Sequence, residues 1–150
     1  MTFKINSKFL KSSYFITELS LCIIRLHDNS KFPWLILIPK RKNKNDISEL
    51  NSKDQLLLIK EIVFVSNCMK KIFKTSKLNV EKIGNIVPQL HIHIISRSKK
   101  DETWPLSVWV TKGKSYNKHF VEKLIKRIRS YIKKRKVTSV SLHHLEYFYN

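Results

Sequence analysis

The stretch NIVPQLHIHIISR, residues 85–97, constrains the fold more than any other part of this chain. Apolar and polar residues alternate through it. In extended backbone Leu90, Ile92 and Ile94 share one face, and Gln89, His91 and His93 share the other. Such an apolar face has to be buried against a sheet's core. The same geometry sets two imidazoles in a row, about 7 Å apart along the chain at roughly 3.3 Å per residue.

That row fits three roles. The first is plain packing. The second is metal ligation, which needs a third and a fourth ligand. The remaining histidines, His27, His119, His143 and His144, have no ligand-like spacing to the pair. The third is chemistry at phosphorus, where one imidazole attacks and its neighbour hydrogen-bonds an oxygen. A reference pKa near 6.5 leaves histidine largely neutral at physiological pH. Attack then requires the other ring nitrogen to be held as a donor.

Around the histidines the pattern predicts an α+β domain with helices on one side of an antiparallel sheet. Residues 21–26 and 34–39 read as short apolar strands, with a solvated charged loop at 40–46. A long helix follows, capped by Ser52 with Gln55 closing a capping box. Its core face carries Leu58, Ile62, Val65, Met69 and Ile72. A short strand and turn then lead to the strand at 90–96, and residues 107–111 read as a further strand. A last helix starts near Asn117, with Phe120, Leu124, Ile128 and Tyr131 on its apolar side. Its end is the basic run at 133–136, which complements a helix C-terminus. Residues 138–150 read as a docked tail or a dimer contact.

The 150 residues suffice for one core. Only two glycines occur, Gly84 and Gly113. Glycine-rich phosphate loops, dinucleotide turns and G-x-S-x-G nucleophile elbows therefore cannot be drawn. Neither C-x-x-C nor H-E-x-x-H is present, and Asp101 and Glu102 are adjacent, a poor carboxylate pair for acid–base work. No apolar run reaches membrane-spanning length, and no signal segment is legible at the start. The expectation is a cytoplasmic protein with Cys22 and Cys68 reduced in its core. The formal charge is +19, from 24 lysines and 6 arginines against 11 acidic residues. This excess reads as solvated faces, as compositional bias, or as attraction to phosphates.

The segment GNIVPQLHIHIISR followed by DETWPLSVW resembles the histidine triad (HIT) family of nucleotide hydrolases and transferases. That family's signature, His-φ-His-φ-His-φ-φ with φ apolar, would read here from Gln89 to Ile95. The likeness extends upstream, through a strand ending in proline (34–39), a long helix and KLNVEKIGN, and covers roughly residues 14–112. It implies one HIT-like domain over 1–150, with a sheet of about five strands, a long central helix and a C-terminal helix. The core would span 14–112, and the basic helix and tail 117–150.

The resemblance also assigns roles. His91 would be the nucleophile, attacking the α-phosphate of a nucleotide to form a nucleotidyl-histidine that water then cleaves. His93 would bind phosphate oxygen. Gln89 stands where the first histidine is usual, and the backbone carbonyl there holds the nucleophile's ring. Pro33 and Trp34 stand where Gly-His is frequent; Trp34 would pack in the core or stack on a nucleobase. Asn85 is a candidate phosphate or ribose donor, Asn79 a ribose contact or a turn residue, Arg97 a phosphate contact or a solvated arginine, and Trp104 a pocket wall or a packing residue.

The substrate class implied is dinucleoside polyphosphates, diadenosine tetraphosphate among them. No cofactor would be tightly held, although a divalent cation would accompany the substrate. A homodimer with a joined sheet is expected. Two alternatives stay open: a non-catalytic nucleotide-binding protein on the same fold, and a basic protein acting on adenylated nucleic-acid ends.

Overall fold

The computed structural model describes residues 2–146, and of 137–146 the helical backbone alone. Its elements are α1 (Ser7–Ser12), β1 (Ser13–Glu18), β2 (Cys22–His27), β3 (Trp34–Pro39), α2 (Ser52–Phe73), β4 (Lys77–Glu81), β5 (Ile92–Arg97) and α3 (Lys118–Glu146). The five strands form one antiparallel sheet in the order β1-β2-β3-β5-β4.

β3 and β5 are buried along their whole length, and β2 along all but its last residue. Strands covered on both faces need apolar residues at successive positions, which is why 34–39 reads as an unbroken apolar run. One face carries Cys22, Ile24, Leu26, Leu35, Leu37, Ile92 and Ile94. Against it pack Leu58, Val65, Cys68, Met69 and Ile72 of α2 and Val121, Leu124, Ile128 and Ile132 of α3. The opposite face holds a smaller cluster, in which Phe9, Phe32 and Val108 cover Trp34, Ile36, Ile38 and Ile95. Residue parity along β5 therefore puts His93 and Arg97 on the smaller-cluster face.

Several sequence expectations shift. The fifth strand is β1, at the sheet's edge, and not residues 107–111. There Ser107 caps a 3-10 turn at Val108–Val110, which drops Val108 into the small cluster. The cap of α2 is Asn51, one residue before Ser52: its Oδ1 accepts from Asp54 N at 2.8 Å, while Gln55 Nε2 donates to Leu50 O. On α3, Asn117 Oδ1 accepts from the backbone of His119 and Phe120. Val121 takes the inward position, and Phe120 lies outside, stacked on Tyr116. The run 133–136 is interior, because the helix continues to Glu146. The expectation for 138–150 falls on residues whose side chains, or whole structure beyond 146, lie outside the described residues.

Glu61 of α2 is buried, and its two carboxylate oxygens accept from the backbone N–H groups of Leu21 and Cys22 at 2.7 and 2.8 Å. This bond pins the start of β2 to the helix behind the sheet. Glu61→Leu would leave two buried amides without acceptors. The expected loss is about 2–4 kcal/mol in urea unfolding; a loss below about 0.5 kcal/mol would contradict this role for the carboxylate.

Candidate functional site

β5 begins at Ile92, two residues later than the alternation suggests, because Leu90 N donates to Lys44 O and leaves the sheet. His91 therefore sits at the mouth of the strand, and Gln89 is not part of a row. The Gln89 side chain turns away from the imidazoles toward the N-terminal segment. Its Nε2 donates to Lys4 O at 2.8 Å, and its Oε1 accepts from Asn6 N at 2.9 Å. The amide thus acts as a clamp on residues 4–6. Beyond the clamp, Phe9 meets the His91 ring edge-on at 4.7 Å between centroids.

The backbone of Gln89 does something else. Its carbonyl lies 2.7 Å from His91 Nδ1. A carbonyl only accepts, so Nδ1 carries the proton and Nε2 presents a lone pair. His93 is fixed the opposite way. Trp34 Nε1 lies 3.0 Å from His93 Nδ1. An indole N–H only donates, so Nδ1 accepts and the proton sits on Nε2. The two rings, centroids 4.7 Å apart and nearly perpendicular, therefore offer one acceptor and one donor. Among the described residues neither Nε2 has a partner and no buried side-chain nitrogen lacks one, so both reach open space.

That space is a cavity of about 440 Å³ bordered by His91, His93, His27, Phe9, Asn85 and Trp109, with Lys8 at its edge. Its walls are mostly apolar. Burial accordingly lowers the pKa of His91, against the opposing effect of its hydrogen bond to the Gln89 carbonyl. Burial pushes His93 down to about 3, helped by its two imidazole neighbours. Both rings are neutral at physiological pH.

Sequence spacing gave no reason to include His27, yet β2 delivers it here. It stands beside Trp34, centroids 4.4 Å apart, with Nδ1 3.1 Å from Ser12 O. The signal lies in pairing: Arg25 stands opposite Ile36, which places His27 opposite Trp34. Nor does sequence spacing single out Trp109. It meets both Trp34 and His93 edge-on, and its Nε1 donates to Glu81.

Of the other sequence candidates, Asn85 borders the cavity. Trp34 is buried and supports His93 from behind, where no nucleobase reaches it. Asn79 sits on β4 with its amide on Glu81. Arg97 is buried at the far end of β5, holding both oxygens of Asp101 at 2.9 and 3.1 Å, and Trp104 lies beside it. The structure does not bring these last three to the histidine cavity. Among the described residues no group of three or more His, Cys, Asp or Glu could hold a metal ion. None of their helices is long and apolar enough to cross a membrane.

An α+β fold with a five-stranded antiparallel sheet, presenting paired imidazoles from one strand, defines the class. The HIT domain family model matches residues 9–100. The chain is similar to a histidine triad protein of known structure from Sinorhizobium meliloti 1021, at 34% identity and a TM-score of 0.83, covering 86% of this chain and 96% of that one. A histidine triad protein from Bradyrhizobium japonicum gives 34% and 0.84, with 88% and 99% covered. One from Marinobacter aquaeolei VT8 gives 28% and 0.85, with 89% and 98% covered. No curated protein matches. The chain belongs to the HIT family, a superfamily of nucleotide-binding hydrolases and transferases.

The hydrogen bonds and pKa directions fix an NMR outcome. Imidazole nitrogen spectra between pH 5 and 8 should show His93 neutral and protonated on Nε2 throughout. A titration of His93 centred near 6.5 would contradict the geometry. The sign for stability follows. The unfolded chain protonates this ring near 6.5 and the fold resists it down to about 3. The ring's contribution is therefore present above pH 6.5 and is lost as pH falls through that window.

Proposed function

We propose that this chain is a nucleotidyl hydrolase that cleaves phosphoanhydride bonds, with dinucleoside polyphosphates as the substrate class. The observation that carries the reading is the His91 Nε2 lone pair, held toward the cavity by the Gln89 carbonyl. Nε2 attacks the α-phosphorus and forms a P–N bond. The P–O bond to the rest of the phosphate chain breaks, and its electron pair leaves on the bridging oxygen. His93 Nε2–H hydrogen-bonds a non-bridging oxygen as charge grows there. Water then attacks the nucleotidyl-histidine, the P–N bond breaks, and a nucleoside monophosphate departs while His91 regains its lone pair.

Gln89 stands at the first position of the triad in this reading. Its side chain holds the N-terminal segment, so the cavity has no imidazole from that position. The ring of His93, pushed down to about 3, is a poor proton donor in the acid–base sense. Leaving groups that need a proton, such as alkoxides and amines, are accordingly disfavoured. Phosphate chains, which leave as stable anions, are favoured. A divalent cation would arrive with such a chain. Asn85, exposed at the cavity edge, is the polar group offered to a ribose or phosphate.

The dimer belongs to the same proposal. β4 is a free sheet edge, and Val80 on it and Leu56, Ile59 and Val63 on α2 expose apolar side chains that a second copy would cover.

The test is incubation of the protein with diadenosine tetraphosphate and chromatography of the products. Wild type should release AMP. His91→Ala should abolish release while leaving the melting transition nearly in place, and His93→Ala should slow it by about 10²-fold. Undiminished turnover by His91→Ala, or nucleotide binding with no turnover by wild type, would overturn the reading.

A further inference from the structure

A second concavity, larger than the histidine cavity at about 820 Å³, lies at the other end of β5. His93 and Arg97 share a face of that strand, four residues and about 13 Å apart. Lys31, Lys74, Lys77, Lys99, Lys100 and Arg97 border the groove, and Asp101 is its one carboxylate. The histidine cavity, by contrast, has Lys8 as its one lysine or arginine.

Three features separate this groove from a solvated lysine face. First, Lys74, Lys77, Lys99 and Lys100 are exposed and make no ion pair among the described residues, although Lys31 is paired with Glu102 at 2.6 Å. Second, Lys77 stands directly opposite Arg97 in the β4–β5 ladder, so an exposed ammonium lies beside a guanidinium whose charge Asp101 already offsets, and the lysine's own charge is left without a counterpart among the described residues. Third, Arg97 is itself buried, and its guanidinium is only partly used. Nε and Nη2 bond Asp101, Thr103 and the Leu106 carbonyl. Nη1 has no partner among the described residues, and the side chain, 1% exposed, borders the groove from beneath. Asp101 and the flanking rings of Phe32 and Trp104, each 5.8 Å from the guanidinium carbon, hold it rigid.

The carbonyl end of α2 points toward this region and would oppose an anion. Two of its last four carbonyls are occupied, however: Lys70 O accepts from Lys74 N and Thr75 N, and Ile72 O accepts from Arg127.

We propose that this groove binds the phosphate chain of an oligophosphate, a ligand with three or more negative charges. The aromatic residues on its border decide between phosphates and bases. Phe32 is buried, Trp104 is engaged with Arg97, and Phe73 is half-buried in the main core. No fully exposed ring offers a base a stacking platform, so single-stranded nucleic acid, which relies on stacking, fits less well.

Calorimetric titration with inorganic triphosphate in metal-free buffer tests this. Wild type and His91→Asn should bind one equivalent with the same affinity. The double variant Lys77→Gln/Lys99→Gln, altered only at exposed residues, should bind about tenfold or more weakly, and added salt should weaken wild type. A melting curve matching wild type confirms that the double variant is folded. Loss of binding in His91→Asn, undiminished binding in the lysine variant, or no binding by wild type would each overturn the proposal. So would tighter groove binding of an oligothymidylate lacking terminal phosphates than of triphosphate, which would assign the groove to nucleic acid. Catalytic failure of the histidine site would leave these outcomes unchanged.

Discussion

A hydrogen bond from His91 Nδ1 to the carbonyl oxygen of Gln89, 2.7 Å long, sets the direction of everything around the imidazole pair. The bond is available because the chain enters the sheet at Ile92 and leaves the Gln89 carbonyl without a ladder partner. Leu90 N, turned to Lys44 O, keeps that entry point in place. One backbone irregularity thus fixes a tautomer, and the tautomer fixes which atom faces the cavity.

The second imidazole depends on a different kind of constraint. Trp34 is buried, and its only polar atom needs an acceptor. His93 Nδ1 is that acceptor, so the packing of a large apolar ring and the protonation of a polar one are a single arrangement. His27 joins the cluster through Trp34, and Trp109 through both Trp34 and His93. Burial lowers all three histidine pKa values, which makes the cavity a place for neutral hydrogen-bonding groups and not for cations. Positive charge is placed elsewhere on the molecule, part of it around the far end of the same strand.

Much of this was legible in the sequence where a pattern is local. Alternation through 90–94 and the apolar runs at 21–26 and 34–39 located three strands, and helical spacing located the core of α2. The long-range parts were not legible. β1 carries a weaker pattern, because its strand is bulged and lies at the sheet's edge. Val108 looked like part of a strand because a β-rich tetrapeptide also suits a 3-10 turn that drops one residue into a core. His27 is 64 residues from His91 in the chain and joins it only through the β2–β3 register. Gln89 looked like a third member of a catalytic row, and strand parity supported that. Its amide instead found two backbone partners in a segment 83 and 85 residues away, which no spacing rule contains. Arg97 and Trp104 were placed near the substrate on the strength of their neighbourhood in sequence, whereas a strand carries residues four apart to opposite ends of a site.

The proposed reaction turns on a bond from the lone pair of His91 to phosphorus. Its most direct test is to mix the protein with excess diadenosine tetraphosphate, quench in alkali, which spares a phosphorus–nitrogen bond, and map the digest by mass spectrometry. The expected result is an adenylyl group on the peptide that contains His91, at its Nε2. Product accumulating while that peptide stays unmodified at every quench time would contradict it.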